Sequence, residues 1–126
     1  MKRSVIQQKA RDTGPSPLQR AQVIDRAHGY CERCGKSVHH TAYSIHHRLP
    51  RGRGGVNVLS NLMLLCGSAT SPGGCHGHVE SYRAEAYEDG YLVRSGMVPA
   101  EIPTLILGRG LTLLTDDGEY AEVPRP

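Results

Sequence analysis

Tryptophan and phenylalanine are absent from the 126 residues, and six tyrosines supply every large aromatic ring. An aromatic core is therefore excluded. Hydrophobic residues make up 38%, beside 15 glycines and 8 prolines, which describes a loop-rich chain with a thin aliphatic interior. No run of about 18 apolar residues occurs, which excludes a membrane-spanning helix. Met1 to Gly14 carries basic residues with no apolar stretch behind them, so it does not read as a secretory signal. No segment recurs, which excludes helical repeats. Acid is missing too: between Glu32 and Glu80 there is no Asp or Glu.

The acid-free window makes the charge uneven. Residues 1–53 hold eleven Lys/Arg against three Asp/Glu, while residues 54–126 hold four against nine, so +8 and −5 lie behind the net +3. A surface with the first balance attracts polyanions. The window also holds six of the seven histidines and three of the four cysteines.

Length fits one small domain. Residues 1–15 read as a flexible basic arm. Ser16-Pro17-Leu18-Gln19 is a helix start, with Ser16 as cap, Pro17 in the first position and Gln19 closing a capping box. The helix is expected over 17–28, with Leu18, Ala21, Ile24 and Ala27 on one face. Residues 42–49 read as a strand, 61–65 as a short apolar run, and 76–89 as one helix stopped by Gly90. Strand-like pieces at 91–93, 104–107 and 111–114, separated by Gly108-Arg109-Gly110 and followed by Asp116-Asp117-Gly118, predict a C-terminal β-hairpin. The expected division is a catalytic or binding domain over 16–95 and a β extension over 96–126.

Four cysteines are the number a metal staple needs, and small cores often use one. Cys31-Glu-Arg-Cys34-Gly has the form of a zinc knuckle, in which two sulfurs three residues apart at a tight turn face one ion. Cys66 and Cys75 make a second, wider pair, whose intervening Gly67, Pro72, Gly73 and Gly74 can fold the loop back. The expectation is a structural zinc on Cys31, Cys34, Cys66 and Cys75; the alternative is four free thiols. Four sulfurs close the coordination shell, so any chemistry belongs to other residues.

Those residues are histidines. His46 and His47 lie on the expected strand, Asn61 follows fourteen residues after His47, and His76 directly follows Cys75. Tyr30-Cys-x-x-Cys-Gly, Ile45-His-His-Arg-Leu-Pro-Arg-Gly-Arg-Gly-Gly, Ser60-Asn-Leu-x-Leu-Leu-Cys and Gly74-Cys-His together resemble the HNH endonucleases. More narrowly, the chain is similar to small HNH proteins of tailed phages and prophages over about residues 28–120, including Gly77-His-Val-Glu80-Ser81.

The resemblance implies an α+β chain built on a small ββα-metal (His-Me finger) domain, with the four-Cys zinc, an N-terminal helix and the C-terminal hairpin around it. It implies His47 as general base, His46 and His76 as metal ligands, and Asn61 as the residue that holds the loop and orients the base. Glu80, one helical turn after His76, would bind the metal directly or through water; His78 is the alternative, pointing elsewhere on the helix. His28, His39 and His40 read as surface or structural residues.

The residue types fit phosphodiester hydrolysis on their own terms. Neutral imidazole accepts a proton near neutral pH. Two histidines with a carboxylate make an open site for Mn2+, Ni2+ or Zn2+, tolerant of Mg2+. Arg48, Arg51 and Arg53, among glycines that let the loop approach, are placed to grip phosphates. The resemblance implies DNA as substrate, phage DNA processing or packaging as setting, a terminase subunit as partner, and the cytoplasm of a bacterial host as location. Two other readings use the same residues: a zinc-stapled DNA-binding module without catalysis, and a structural zinc protein of packaging. The first needs no His46-His47-His76 set, and the second needs neither that set nor Asn61.

Overall fold

The computed structural model describes residues 14–68 and 73–125. The expected arm over 1–15 falls almost wholly outside them. Helix α1 (Pro17–Arg26) starts as the sequence predicts: Ser16 Oγ accepts from Gln19 N at 3.1 Å and Gln19 Oε1 accepts from Ser16 N at 2.9 Å. It ends two residues early, because His28 and Gly29 both take left-handed backbone (φ 55° and 78°). Its buried stripe is also different. Val23, Arg26 and Ala27 face the interior, while Leu18 is 67% exposed.

Arg26 is buried because it has partners. Its guanidinium makes two bonds to the Glu32 carboxylate, at 2.9 and 3.0 Å, and donates to the Leu59 and Leu62 carbonyls. Glu32 also accepts from Leu64 N and from the Tyr120 hydroxyl. A buried ion pair persists when all its polar atoms are satisfied, as here. The pair ties α1, the Cys31–Cys34 turn and the C-terminal region to one central strand.

That strand is β2 (Leu62–Cys66), antiparallel to β1 (Tyr43–His47) with His46 opposite Met63 and His47 opposite Leu62. All of β2 is buried, since cores lie on both its faces. Leu62 and Leu64 pack with Val23, Ile45 and Leu59, while Met63 and Leu65 pack with Cys31, Cys66, Cys75, Val79, Ala86 and Tyr91. Period-two alternation sends neighbouring residues to opposite sides, so His46 on β1 faces the second core and its chain neighbours do not.

The single helix expected over 76–89 is two. Helix α2 (Cys75–Ser81) and helix α3 (Arg83–Asp89) are separated at Tyr82, which leaves helical backbone (φ −113°, ψ 66°). No Gly or Pro marks the break. Gly90 ends α3 as expected, and nothing larger fits: a Cβ there would lie 2.0 Å from the Pro103 carbonyl oxygen.

Residues 91–93 are buried but form no strand; Val93 N instead bonds the Arg48 carbonyl. The expected hairpin is a three-stranded meander, β3 (Thr104–Ile106), β4 (Gly110–Leu114) and β5 (Tyr120–Glu122). Ile106 and Leu114 enter the same core as Met63 and Leu65. The fold is thus α+β, with three α-helices and two small sheets among the described residues. No helix among the described residues is long and apolar enough to cross a membrane.

Candidate active site and metal centre

Cys31, Cys34, Cys66 and Cys75 converge, with every sulfur within 4.8 Å of the others. Four sulfurs about 2.3 Å from one ion sit about 3.8 Å apart in a tetrahedron, and Cys34 Sγ lies 3.6 Å from Cys66 Sγ. Backbone amides of Cys34 and Cys75 donate to Cys31 and Cys66, and Arg33 donates to Cys75 Sγ at 3.2 Å. Donors of this kind stabilise thiolates. The Cys75 thiol, hydrogen-bonded to Cys31, holds the Cys31 sulfur as a thiolate with its pKa down to about 4 and is itself pushed up. The four cysteines are positioned to bind a metal ion.

A second cluster joins β1 to α2. His46, His76 and Glu80 each offer an atom within 4.8 Å of the others. Residues 76 and 80 share a helix face at four-residue spacing. Glu80 Oε2 lies 3.9 Å from His46 Nδ1 and 4.0 Å from His76 Nε2. Its other oxygen accepts from Arg83 at 2.8 Å.

His46 is buried, and its Nε2 lies 2.7 Å from the Tyr91 carbonyl. A carbonyl only accepts, so Nε2 carries the proton and Nδ1 presents a lone pair to the cluster. Burial, with the nearby His76, His47 and Arg48 charges, holds the pKa of His46 down at about 3 against the Tyr91 bond. Burial also lowers His76, opposed by Glu80. Neutral imidazole is the form that binds metal. His76 Nδ1 is a buried nitrogen without a hydrogen-bond partner among the described residues, an omission that natural structures rarely leave unexplained. Through its other ring nitrogen, Nε2, His76 meets Glu80 Oε2, and with His46 the set, one ligand atom from each residue within 4.8 Å of the others, fits a divalent cation. His78 turns away from it, toward Glu85 at 3.2 Å and onto the Tyr82 ring.

His47 lines the same open cleft, of about 470 Å³. Its Nε2 lies 2.6 Å from Asn57 Oδ1, and Asn57 Nδ2 donates to the Gly14 carbonyl, which fixes the amide's orientation. Asn61 does something else. Fully buried, it accepts from Leu49 N at 2.7 Å and donates to the Leu49 and Val56 carbonyls, both at 3.1 Å. Asn61 closes the loop between the strands; the bond expected from it to His47 comes from Asn57. The signal that could have found Asn57 is its place in the same interstrand loop.

Residues 31–69 match the family model described as HNH endonuclease. Over this segment, under half of the chain, the protein is similar to the HNH endonucleases. No curated protein and no solved structure matches the chain. The matched segment contains Cys31, Cys34, His46, His47, Asn61 and Cys66. The fold adds Cys75, His76 and Glu80 to it through α2.

Arginines surround the cleft, though not all those expected. Arg51 and Arg53 are exposed and line it, joined by Arg83 from α3. Arg48 does not. It is 0% exposed and donates to the carbonyls of Gly90, Ser60, Pro99 and Ile102, at 2.6–3.0 Å. Strand alternation turns it inward next to His47, and four carbonyls take up its donors, so it ties β1 to the C-terminal region and offers nothing to a phosphate. Burial pulls its pKa to about 10, so it remains charged at neutral pH. Gly55 keeps the arginine loop tight, since a Cβ there would lie 1.7 Å from the Leu49 carbonyl oxygen.

Proposed function

We propose that the chain is a metal-dependent endonuclease that hydrolyses DNA phosphodiester bonds. The observation that carries this reading is the placement of His47 in one cleft with His46, His76 and Glu80. A binding module needs exposed arginines but no such convergence of imidazoles with a carboxylate.

In this reading His46 Nδ1, His76 and Glu80 Oε2 hold the catalytic cation, which when bound neutralises charge on the scissile phosphate and on the departing oxygen. Asn57 Oδ1 keeps the proton of His47 on Nε2, which leaves Nδ1 to accept one. His47 takes a proton from water as the water oxygen bonds to phosphorus, and the bond to the leaving sugar oxygen breaks. Arg51 and Arg53 hold flanking phosphates. The four cysteines hold zinc, whose closed shell keeps it structural. Residues 16–95 form the nuclease unit and residues 96–126 brace it. A setting in phage DNA processing or packaging, with a terminase partner, is supported by the sequence resemblance over residues 28–120.

The test is metal add-back. After mild chelation that leaves the cysteine site filled, supercoiled plasmid is incubated with Mg2+, Mn2+, Ni2+ or Zn2+. Nicking is expected to return with at least one of them. Shifted but uncut plasmid under every metal would replace the nuclease with a DNA-binding module.

A further inference from the structure

The sequence places the basic surface before Glu80, and the chain after residue 53 is acidic. The fold nevertheless brings Arg83 from that acidic half to the cleft, and Arg94 to the Tyr87 ring beside Arg83. Helix α3 carries three acids and one arginine, and two of the acids lie away from the arginine. Glu85 faces His78, and Glu85 and Asp89 line a small depression with Arg33. Arg83 and Tyr87, four residues apart, share a different face. Arg83 lines the cleft itself. The Tyr87 ring carries two guanidinium groups, Arg94 at 4.1 Å and Arg83 at 6.0 Å from its centroid. Next to Arg94, the Ser95 hydroxyl donates to the Arg53 carbonyl, so this segment abuts the arginine loop.

A guanidinium stacked on a ring keeps its edge N–H groups free and loses little freedom on binding, which suits phosphate. Arg94 is exposed, and no carboxylate pairs with Arg51, Arg53 or Arg94 among the described residues, whereas Arg83 gives one N–H to Glu80 at 2.8 Å and offers the rest of its fork. We propose that Arg83 and Arg94, braced on Tyr87, form a second phosphate-binding arm that extends the DNA track beyond the Arg51–Arg53 loop. The inference rests on the endonuclease reading and adds where its substrate lies. The duplex would run from the loop, over the histidine cluster, to Tyr87, with its backbone rather than its bases contacted there.

The experiment measures binding of a labelled DNA duplex to the full-length His47→Ala chain with Mn2+, by fluorescence anisotropy across a range of KCl concentrations. Each lost phosphate contact lowers the slope of log affinity against log salt by about 0.9. Arg94→Ala is expected to lower it by about that amount and the double Arg83→Gln/Arg94→Ala by about twice it. Arg109→Ala removes the same charge from a different cavity, stacked on Tyr120, and is expected to leave the slope unchanged. The arm is overturned if the Arg94 and double variants keep the parent slope while Arg53→Ala lowers it, or if Arg109→Ala lowers it equally. A parent chain that binds no DNA would overturn both the arm and the endonuclease reading.

Discussion

Asn57 Oδ1 lies 2.6 Å from Nε2 of His47, while Asn61 never touches that ring. The two asparagines of one loop therefore divide two tasks, and substitution should separate them.

Asn57→Ala leaves the proton of His47 free to move between ring nitrogens. Turnover should fall about tenfold to a hundredfold, a part of the roughly 10²–10⁴ that a positioned base supplies. The urea midpoint should scarcely move. Equal cleavage by parent and variant would remove Asn57 from the mechanism.

Asn61→Ala should act on the fold. It strips partners from the buried Leu49 amide and from two carbonyls, and each such orphan costs about 1–3 kcal/mol. A total loss of about 3 kcal/mol is expected in chemical denaturation. A variant as stable as the parent would show that water replaces the amide at no cost.

Arg48→Met should also destabilise, by about 3–5 kcal/mol, because four carbonyls lose a charged donor in the interior. Arg48→Lys keeps the charge but lacks the planar fork, so it should recover only part of this. Thermal melts of both settle it; unchanged melting would mean that Arg48 is free to serve DNA after all.

These three residues show what the sequence could convey. The knuckle, the histidine positions, the capping box and the Gly90 stop were legible because each depends on local spacing or on one residue's backbone freedom. Arg48 was not, since its sequence neighbours, His47 and the arginine loop, suggest a phosphate role. Its true partners lie 12 to 54 residues away. The same holds for Arg26 and Glu32, whose charges look like solvent-facing positions until β2 covers them. The break at Tyr82 has no local marker, and β5 became visible only through Tyr120 reaching Glu32.

The cysteine site should be separable from the histidine site by chelation. Three of its cysteines, Cys31, Cys66 and Cys75, sit within the core that holds Met63, Leu65 and Val79, and exposed Cys34 completes the set, so metal binding and folding should be coupled there. Cys34→Ser should retain less tightly bound metal and melt well below the parent, while His76→Ala should keep the cysteine-bound metal and melt near it. Metal analysis with paired melting curves reads both; a Cys34→Ser chain that melts like the parent would show that the fold does not rest on that ion.

The central claim is that His47 acts on a substrate held beside a cation bound by His46, His76 and Glu80. The most direct measurement pairs Mn2+ titration with plasmid nicking for the parent and His47→Ala chains. The account predicts that Mn2+ binds both alike while nicking by the variant falls at least about a hundredfold. Equal nicking by the two chains would contradict it.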